Sequence, residues 1–280
     1  MMASACLGPP GARRRLFPVV VDVAPVLIAS LGWGQLGLAG ERRVTPGDAG
    51  HERTAAIAMK PTRLLERATT PDGTPLTLHE HDGTLSIRVG SVELMSTRQH
   101  HSEERLAQLA CAGLRDRPRA AVLIGGLGLG FTLRETLRHL AADATVVVAE
   151  LVPAVIAWNR DPAHGLAADV IDDPRVTVLA GDVADVLAAD RGRYDAIMLD
   201  VDNGASGLTT AANDALYTVP GLQTARAALR PRGRLAVWSA DGDPRFMARM
   251  EQAGFAVEVV QARTHPTGGS WNTIFVGTRS

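Results

Sequence analysis

The chain has 280 residues, enough for one sizeable domain and a smaller one. A hydrophobic fraction of 46%, a charged fraction of 21% and a net charge of −1 describe an ordinary globular protein and argue against a global basic field for nucleic acid or an anionic membrane. Cys6 and Cys111 lie far apart and form no Cys-x-x-Cys, which argues against a disulfide framework and a cysteine zinc site.

Residues 1–58 read apart from the rest. Arg13-Arg14-Arg15 precedes an apolar stretch, 16–40, with the outline of an export signal. Pro18, Asp22, Pro25 and Gly32-Trp33-Gly34 interrupt that stretch, and they also argue against a transmembrane helix. Residues 40–58 are polar and aperiodic, and Met59-Lys60-Pro61 reads like a natural start. The leading expectation is a disordered extension, or residues upstream of the true start, with a cleaved signal as the alternative.

Residues 62–98 predict a small β-sheet. Leu76-Thr77-Leu78-His79 leads to the turn signal His81-Asp82-Gly83, then Leu85-Ser86-Ile87-Arg88-Val89 alternates, and Gly90-Ser91 opens Val92-Glu93-Leu94-Met95. A sheet this small needs a partner to stand. Residues 102–114 predict a helix, capped by Ser102, with Leu106, Leu109 and Ala110 on one face.

Within 100–280, strands and helices alternate from Ala120 onward. The apolar runs predict strands at 121–124, 145–149, 176–179, 196–199, 234–238, 256–260 and 273–276. Helices fall near 131–140, 153–160, 183–190, 211–229 and 244–253. Continuous apolar strands with helical crossovers predict an α/β, Rossmann-like, doubly wound parallel sheet covered on both faces. Gly268-Gly269 between the last two strands predicts an antiparallel hairpin at the edge.

Four segments carry chemistry. Leu123-Ile124-Gly125-Gly126-Leu127-Gly128-Leu129-Gly130 runs from a strand through four glycines into a helix, and Gly125, Gly126, Gly128 and Gly130 let a ligand approach the backbone beside free helix N–H groups. A tight turn without ligand is the bland alternative. Glu150 ends the second strand, about twenty residues on, where a carboxylate accepts from ribose hydroxyls. Gly181-Asp182 closes the third strand, and Asp182 is also placed to cap the next helix. Asp200-Val201-Asp202-Asn203-Gly204 crowds the end of the fourth strand; Asp200 is placed to orient or deprotonate an amine, while Asp202 and Asn203 line a substrate site or simply make the turn. His100-His101 with Glu103-Glu104 reads as a helix start rather than a metal site, and no Gly-x-Ser-x-Gly or Walker motif occurs.

These segments, with the small sheet in front, resemble the spermidine synthase family over about residues 70–280. The resemblance implies a methyltransferase-type sheet, in which the antiparallel excursion is the distinguishing feature. It makes Gly125–Gly130 the glycine loop, Glu150 the ribose acid, Asp182 the residue near adenine and Asp200 the catalytic aspartate. It implies S-adenosylmethionine or its decarboxylated form as co-substrate, no metal, a small amine acceptor, a cytoplasmic enzyme and a possible homodimer. Leu229-Arg230-Pro231-Arg232-Gly233 resembles a turn shared with methyltransferases, and 94–106 resembles the segment with the family's gatekeeping Gln and Tyr-His-Glu. Three places depart from the family. Gly128 stands where an acid grips the aminopropyl amine, Ser102-Glu103-Glu104 or a nearby frame replaces Tyr-His-Glu, and Asp200-Val201-Asp202-Asn203-Gly204 replaces Asp-Ser-x-Asp-Pro. The leading function is therefore transfer from either nucleoside to an amine. The alternatives are S-adenosylmethionine-dependent methyl transfer and nucleoside binding without catalysis.

Overall fold

The computed structural model describes residues 60–201 and 213–280; the expectations for residues 1–58, Asp202 and Asn203 lie outside them. Four strands come first: β1 (Arg63–Thr69), β2 (Pro75–His81), β3 (Thr84–Val89) and β4 (Val92–Ser96), an antiparallel meander in chain order. Asp82 and Gly83 turn β2 into β3 at φ 49° and 76°, the mirror-image turn whose twist suits a hairpin. The buried apolar residues of this sheet, Leu76, Leu78, Leu85 and Ile87, join the core of the larger body.

Helix α1 (His101–Ala110) follows. The expected Ser102 cap is corrected: His100 precedes the helix without a side-chain cap bond, and Ser102 lies in the first turn, 1% exposed. Ser102, Leu106, Ala107 and Ala110 form the buried stripe, so packing turns the serine inward.

The remaining elements are β5 (Ala121–Gly125), α2 (Phe131–Arg138), β6 (Thr145–Glu150), α3 (Pro153–Arg160), β7 (Val176–Ala180), α4 (Val183–Ala189), β8 (Tyr194–Leu199), α5 (Val219–Ala228), β9 (Leu229–Ser239), α6 (Pro244–Gln252), β10 (Phe255–His265) and β11 (Gly268–Arg279). The sheet runs β10-β11-β9-β8-β5-β6-β7. Strands β7, β6, β5, β8 and β9 are parallel, and β11 returns antiparallel between β9 and β10. This is the methyltransferase-type order with its edge hairpin. The long helix expected at 211–229 is broken: a 3-10 turn (Asn213–Tyr217) precedes α5, whose first turn carries Pro220 and whose cap is Thr218.

Continuous apolar strands become two-faced ones. Val122, Ile124, Val146, Val148, Ala196 and Met198 enter one core, with α1 and the small sheet. Ala121, Leu123, Val147, Ala149, Ile197 and Leu199 enter the other, with α4, α5 and α6. Asp195, 4% exposed, clamps the far end of the sheet by accepting from Ala121 N (2.9 Å) and from Arg230 (2.6 Å), and it pairs with Arg117 (2.6 Å). The turn expected at 229–233 is absorbed into the start of β9, where Arg232 takes φ 62° and the register against β8 shifts. Among the described residues no helix is long and apolar enough to cross a membrane.

Candidate active site

Strand order reverses between β5 and β8, because β5 leads on to β6 and β7 before the chain crosses back. That reversal opens a crevice at the carboxyl ends of the strands. Three backbone bonds fix those ends: Gly126 N to Ala149 O (2.9 Å), Asp200 N to Gly125 O (2.9 Å) and Gly181 N to Glu150 O (2.9 Å). A cleft lies there, lined by Gly126, Gly128, Glu150, Gly181, Asp182, Asp200 and Val201. Its other wall comes from the small sheet and the residue after β1: Thr70, Leu76, Ile87, Val89, Leu94 and Met95. Polar groups at one rim and an apolar wall opposite suit a flat, partly charged ligand.

The glycine loop divides by role. Gly126, at φ 90°, passes so close to the Asp200 carbonyl that a Cβ would collide with it, which forces glycine here. Gly128, at φ 51°, faces Met95, whose sulfur would lie 2.7 Å from a Cβ. The Met95 thioether therefore occupies the space into which a longer side chain at 128 would project. Gly125 ends β5 against Val183 and Leu199, and Gly130 precedes α2 against Ala167 and Asn159; neither lines the cleft.

Glu150 is 7% exposed, and its carboxylate accepts from Leu127 N (2.8 Å) and Val152 N (2.9 Å). Burial pushes its carboxyl up, against the pull of backbone N–H groups, those of Leu127 and Val152 first and those of Gly128 and Leu151 after them. Asp182 caps α4 through Oδ1, which accepts from Ala184 N (2.8 Å), and the residue also lines the cleft. Capping and ligand contact are thus compatible in this side chain.

Asp200 is half-buried at the cleft floor, where Oδ2 accepts from the Thr132 hydroxyl (2.7 Å). Burial pushes its carboxyl up to about 6, and the Thr132 bond opposes this. The sequence reading missed Thr132 and Glu103. Burial pushes the Glu103 carboxyl up to about 8, the charge of Asp200 adds to the rise, and the Ser102 hydroxyl, 2.5 Å away, opposes it. No spacing pointed to Thr132, whereas the departure of Ser102-Glu103-Glu104 from the expected Tyr-His-Glu was the one signal for Glu103.

The other titratable groups serve the fold. His100 stacks flat on Phe131 (3.9 Å, 7°) with Nδ1 3.2 Å from Glu104, and His101 also faces Glu104 (3.5 Å). His139 meets Glu135 (3.0 Å). His164 has only 10% of its side chain exposed, between Glu66 and Asp161. Burial raises the Cys111 thiol to about 12, consistent with a small buried apolar group.

Residues 100–241 match the family profile described as the spermine/spermidine synthase domain. The chain is 31% identical over 195 residues to polyamine aminopropyltransferase 1 of Streptomyces coelicolor, covering 66% of this chain and 34% of that protein. It is 39% identical over 117 residues to putrescine N-methyltransferase 4 of Nicotiana tabacum, covering 41% and 28%. It thus spans about a third of the length of these curated relatives. The solved spermidine synthase of Thermotoga maritima has the same fold, with a TM-score of 0.63 at 22% identity over 78% of this chain and 73% of that one.

Proposed function

The chain belongs to the spermine/spermidine synthase domain family, and on that premise we propose that it is a transferase that alkylates a small amine with a sulfonium nucleoside, S-adenosylmethionine or its decarboxylated form. The single observation that carries this reading is the cleft itself, where Glu150, Asp182 and Asp200 line one wall with Gly126 and Gly128 between them. A nucleoside fits these groups. Glu150 accepts from the ribose hydroxyls, Asp182 Oδ2 faces the adenine amine, and the bare backbone of the glycine loop permits close approach.

The chemistry asked of the protein is modest. A sulfonium makes the adjacent carbon electrophilic; the amine nitrogen bonds to that carbon, and the broken C–S bond leaves its electron pair on sulfur. An ammonium has no lone pair to attack with, so a base must first take a proton. Asp200, with a carboxyl raised to about 6, is matched to that task near neutral pH. Thr132 holds its Oδ2, and the residue lines the cleft. Alignment in a walled cleft supplies much of the remaining acceleration.

Gly128 favours one finer reading, methyl transfer. No carboxylate projects from the loop at that position, and Met95 fills the space, so nothing there repels a donor that retains its own carboxylate. The proposed setting is cytoplasmic, with neither membrane nor nucleic acid as partner and a homodimer as its assembly. Incubating the chain with each nucleoside and 1,4-diaminobutane, and weighing the product amine, tests the proposal. Asp200→Asn should retain nucleoside affinity within threefold and lose at least a hundredfold in turnover. Unchanged turnover would remove Asp200 from the chemistry.

A further inference from the structure

We propose that the outer face of the small sheet carries a second binding site, one for a small oxyanion, the chemistry shared by phosphates and carboxylates. The site lies on the side of β3 and β4 away from the cleft, and it stands whether or not the cleft transfers alkyl groups.

Strand alternation places it. Along β3, Ile87 and Val89 line the cleft, whereas Thr84, Ser86 and Arg88 line a hollow on the opposite face. In register, Ser86 faces Ser96 and Arg88 faces Glu93 of β4, and Thr84 faces His81 of β2. Arg98, just after β4, and His265, at the end of β10, also line the hollow. His265 Nδ1 accepts from Thr267 N (3.3 Å), so the neutral ring carries its proton, and its donor, on Nε2.

Three observations point to an anion. First, donors there are buried and unmatched. Ser86 and Ser96 are only 5% and 4% exposed, yet neither hydroxyl has a hydrogen-bond partner among the described residues. Arg88 Nε is likewise buried without a partner. Folded chains seldom leave such groups unsatisfied, and each can donate to a bound acceptor. Second, the charge is uneven. Among the described residues Glu93 is the only carboxylate lining the hollow, and it lies 3.4 Å from Arg88 Nη2. Arg98 has no carboxylate within 4.0 Å among the described residues, so with neutral histidines the lining is net positive. Third, no aliphatic or aromatic hydrocarbon side chain lines the hollow among the described residues.

Together these groups match an oxyanion. A guanidinium fork takes two oxygens side by side, and hydroxyls donate to the remaining lone pairs. A cation would meet Arg88 and Arg98, and a neutral ligand would leave the charge of Arg98 unanswered. A second copy of the chain would find no apolar patch to bury, which the core of a stable interface needs.

Calorimetry on the full chain tests this, in phosphate-free buffer at constant ionic strength, with inorganic phosphate and succinate as the probes. At least one should bind saturably, and the tighter of the two names the source of the oxyanion. Arg98→Gln should weaken that binding at least tenfold, and Arg245→Gln, on α6 and outside the hollow, should leave it unchanged. The double variant Ser86→Ala, Ser96→Ala separates binding from folding. Its Tm without anion should equal or exceed the parent's, because the hydroxyls it loses have no partners, while the rise in Tm that the anion gives the parent should fall by at least half. Arg98 is exposed, so Arg98→Gln decides the matter if the serine variant does not fold. No saturable binding of either anion, or binding that Arg98→Gln leaves at the parent's strength, would overturn the inference. A dimer in light scattering that Arg98→Glu dissociates with no anion present would also overturn it, and would assign this face to a second copy.

Discussion

The Thr132 hydroxyl donates to Asp200 Oδ2 at 2.7 Å, joining the first turn of α2 to the end of β8. That bond lowers the proton affinity of a carboxyl that burial raises. Thr132→Val keeps the shape of the side chain and removes the donor, so the Asp200 carboxyl should rise further. The base is then protonated to a higher pH. The acid limb of the kcat profile should move upward and turnover near neutrality should fall roughly tenfold, while the loss of one hydrogen bond costs stability about 1 kcal/mol. A pH–rate profile with the limb unmoved would disconnect Thr132 from the base.

Glu150 has a structural duty as well as the proposed ribose contact. Glu150→Ala should weaken nucleoside binding at least tenfold and also strand the N–H groups of Leu127 and Val152, at about 1–3 kcal/mol each. Thermal melting and nucleoside titration on the same sample separate the two effects. Normal affinity in a folded variant would place the ribose elsewhere.

Gly128 and Met95 make a coupled pair. Gly128→Asp meets two obstacles, a left-handed φ of 51° that strains any residue but glycine and the Met95 thioether, and only the second can be relieved by a change at position 95. Gly128→Asp alone should lose nucleoside affinity, and adding Met95→Ala should recover it with a changed preference. The double variant should favour the decarboxylated donor over S-adenosylmethionine by at least tenfold relative to the parent, because the new carboxylate attracts an amine and repels a carboxylate. Strict additivity of the two changes would show that the side chains do not share the space.

The pair Glu103 and Asp200 should also set the pH dependence of stability. In the folded chain these carboxyls rise from 4.5 to about 8 and from 3.8 to about 6. Between those values the folded state holds more protons than the unfolded one, so the pair's contribution to stability falls as pH rises from about 4 to about 8. Glu103→Gln removes most of that slope. Its Tm should match the parent's near pH 4 and exceed it at pH 8.5, with roughly 2–4 °C for each kcal/mol recovered. A Tm below the parent's at both pH values would show that the charge is stabilising.

Much of the frame was legible in the sequence, for a physical reason. Strands buried on both faces must be apolar without interruption, as at Val122-Leu123-Ile124 and Val146-Val147-Val148, and such runs stand out. Glu150, Asp182 and Asp200 were legible because strand ends in this topology converge on one crevice. Strand β1 was not individually marked, since Leu64-Leu65 breaks alternation. The hairpin strands β10 and β11 extend well past their apolar segments, because solvent-facing positions at a sheet edge accept Glu258, Arg263 and His265. Gly125 and Gly130 share the glycine pattern but face the protein, a distinction that depends on Val183 and Ala167 arriving from elsewhere. The contacts of Met95 with Gly128, and of His100 with Phe131, arise only from tertiary packing, so no spacing announces them.

The central claim, that the cleft between Glu150 and Asp200 holds a sulfonium nucleoside, is tested most directly by calorimetry. The full chain is titrated with S-adenosylmethionine, its decarboxylated form and methylthioadenosine. The account predicts saturable binding of at least one of them at a single site, weakened at least tenfold by Glu150→Ala in a folded variant. Absence of binding by all three, in protein that melts cooperatively, would contradict it.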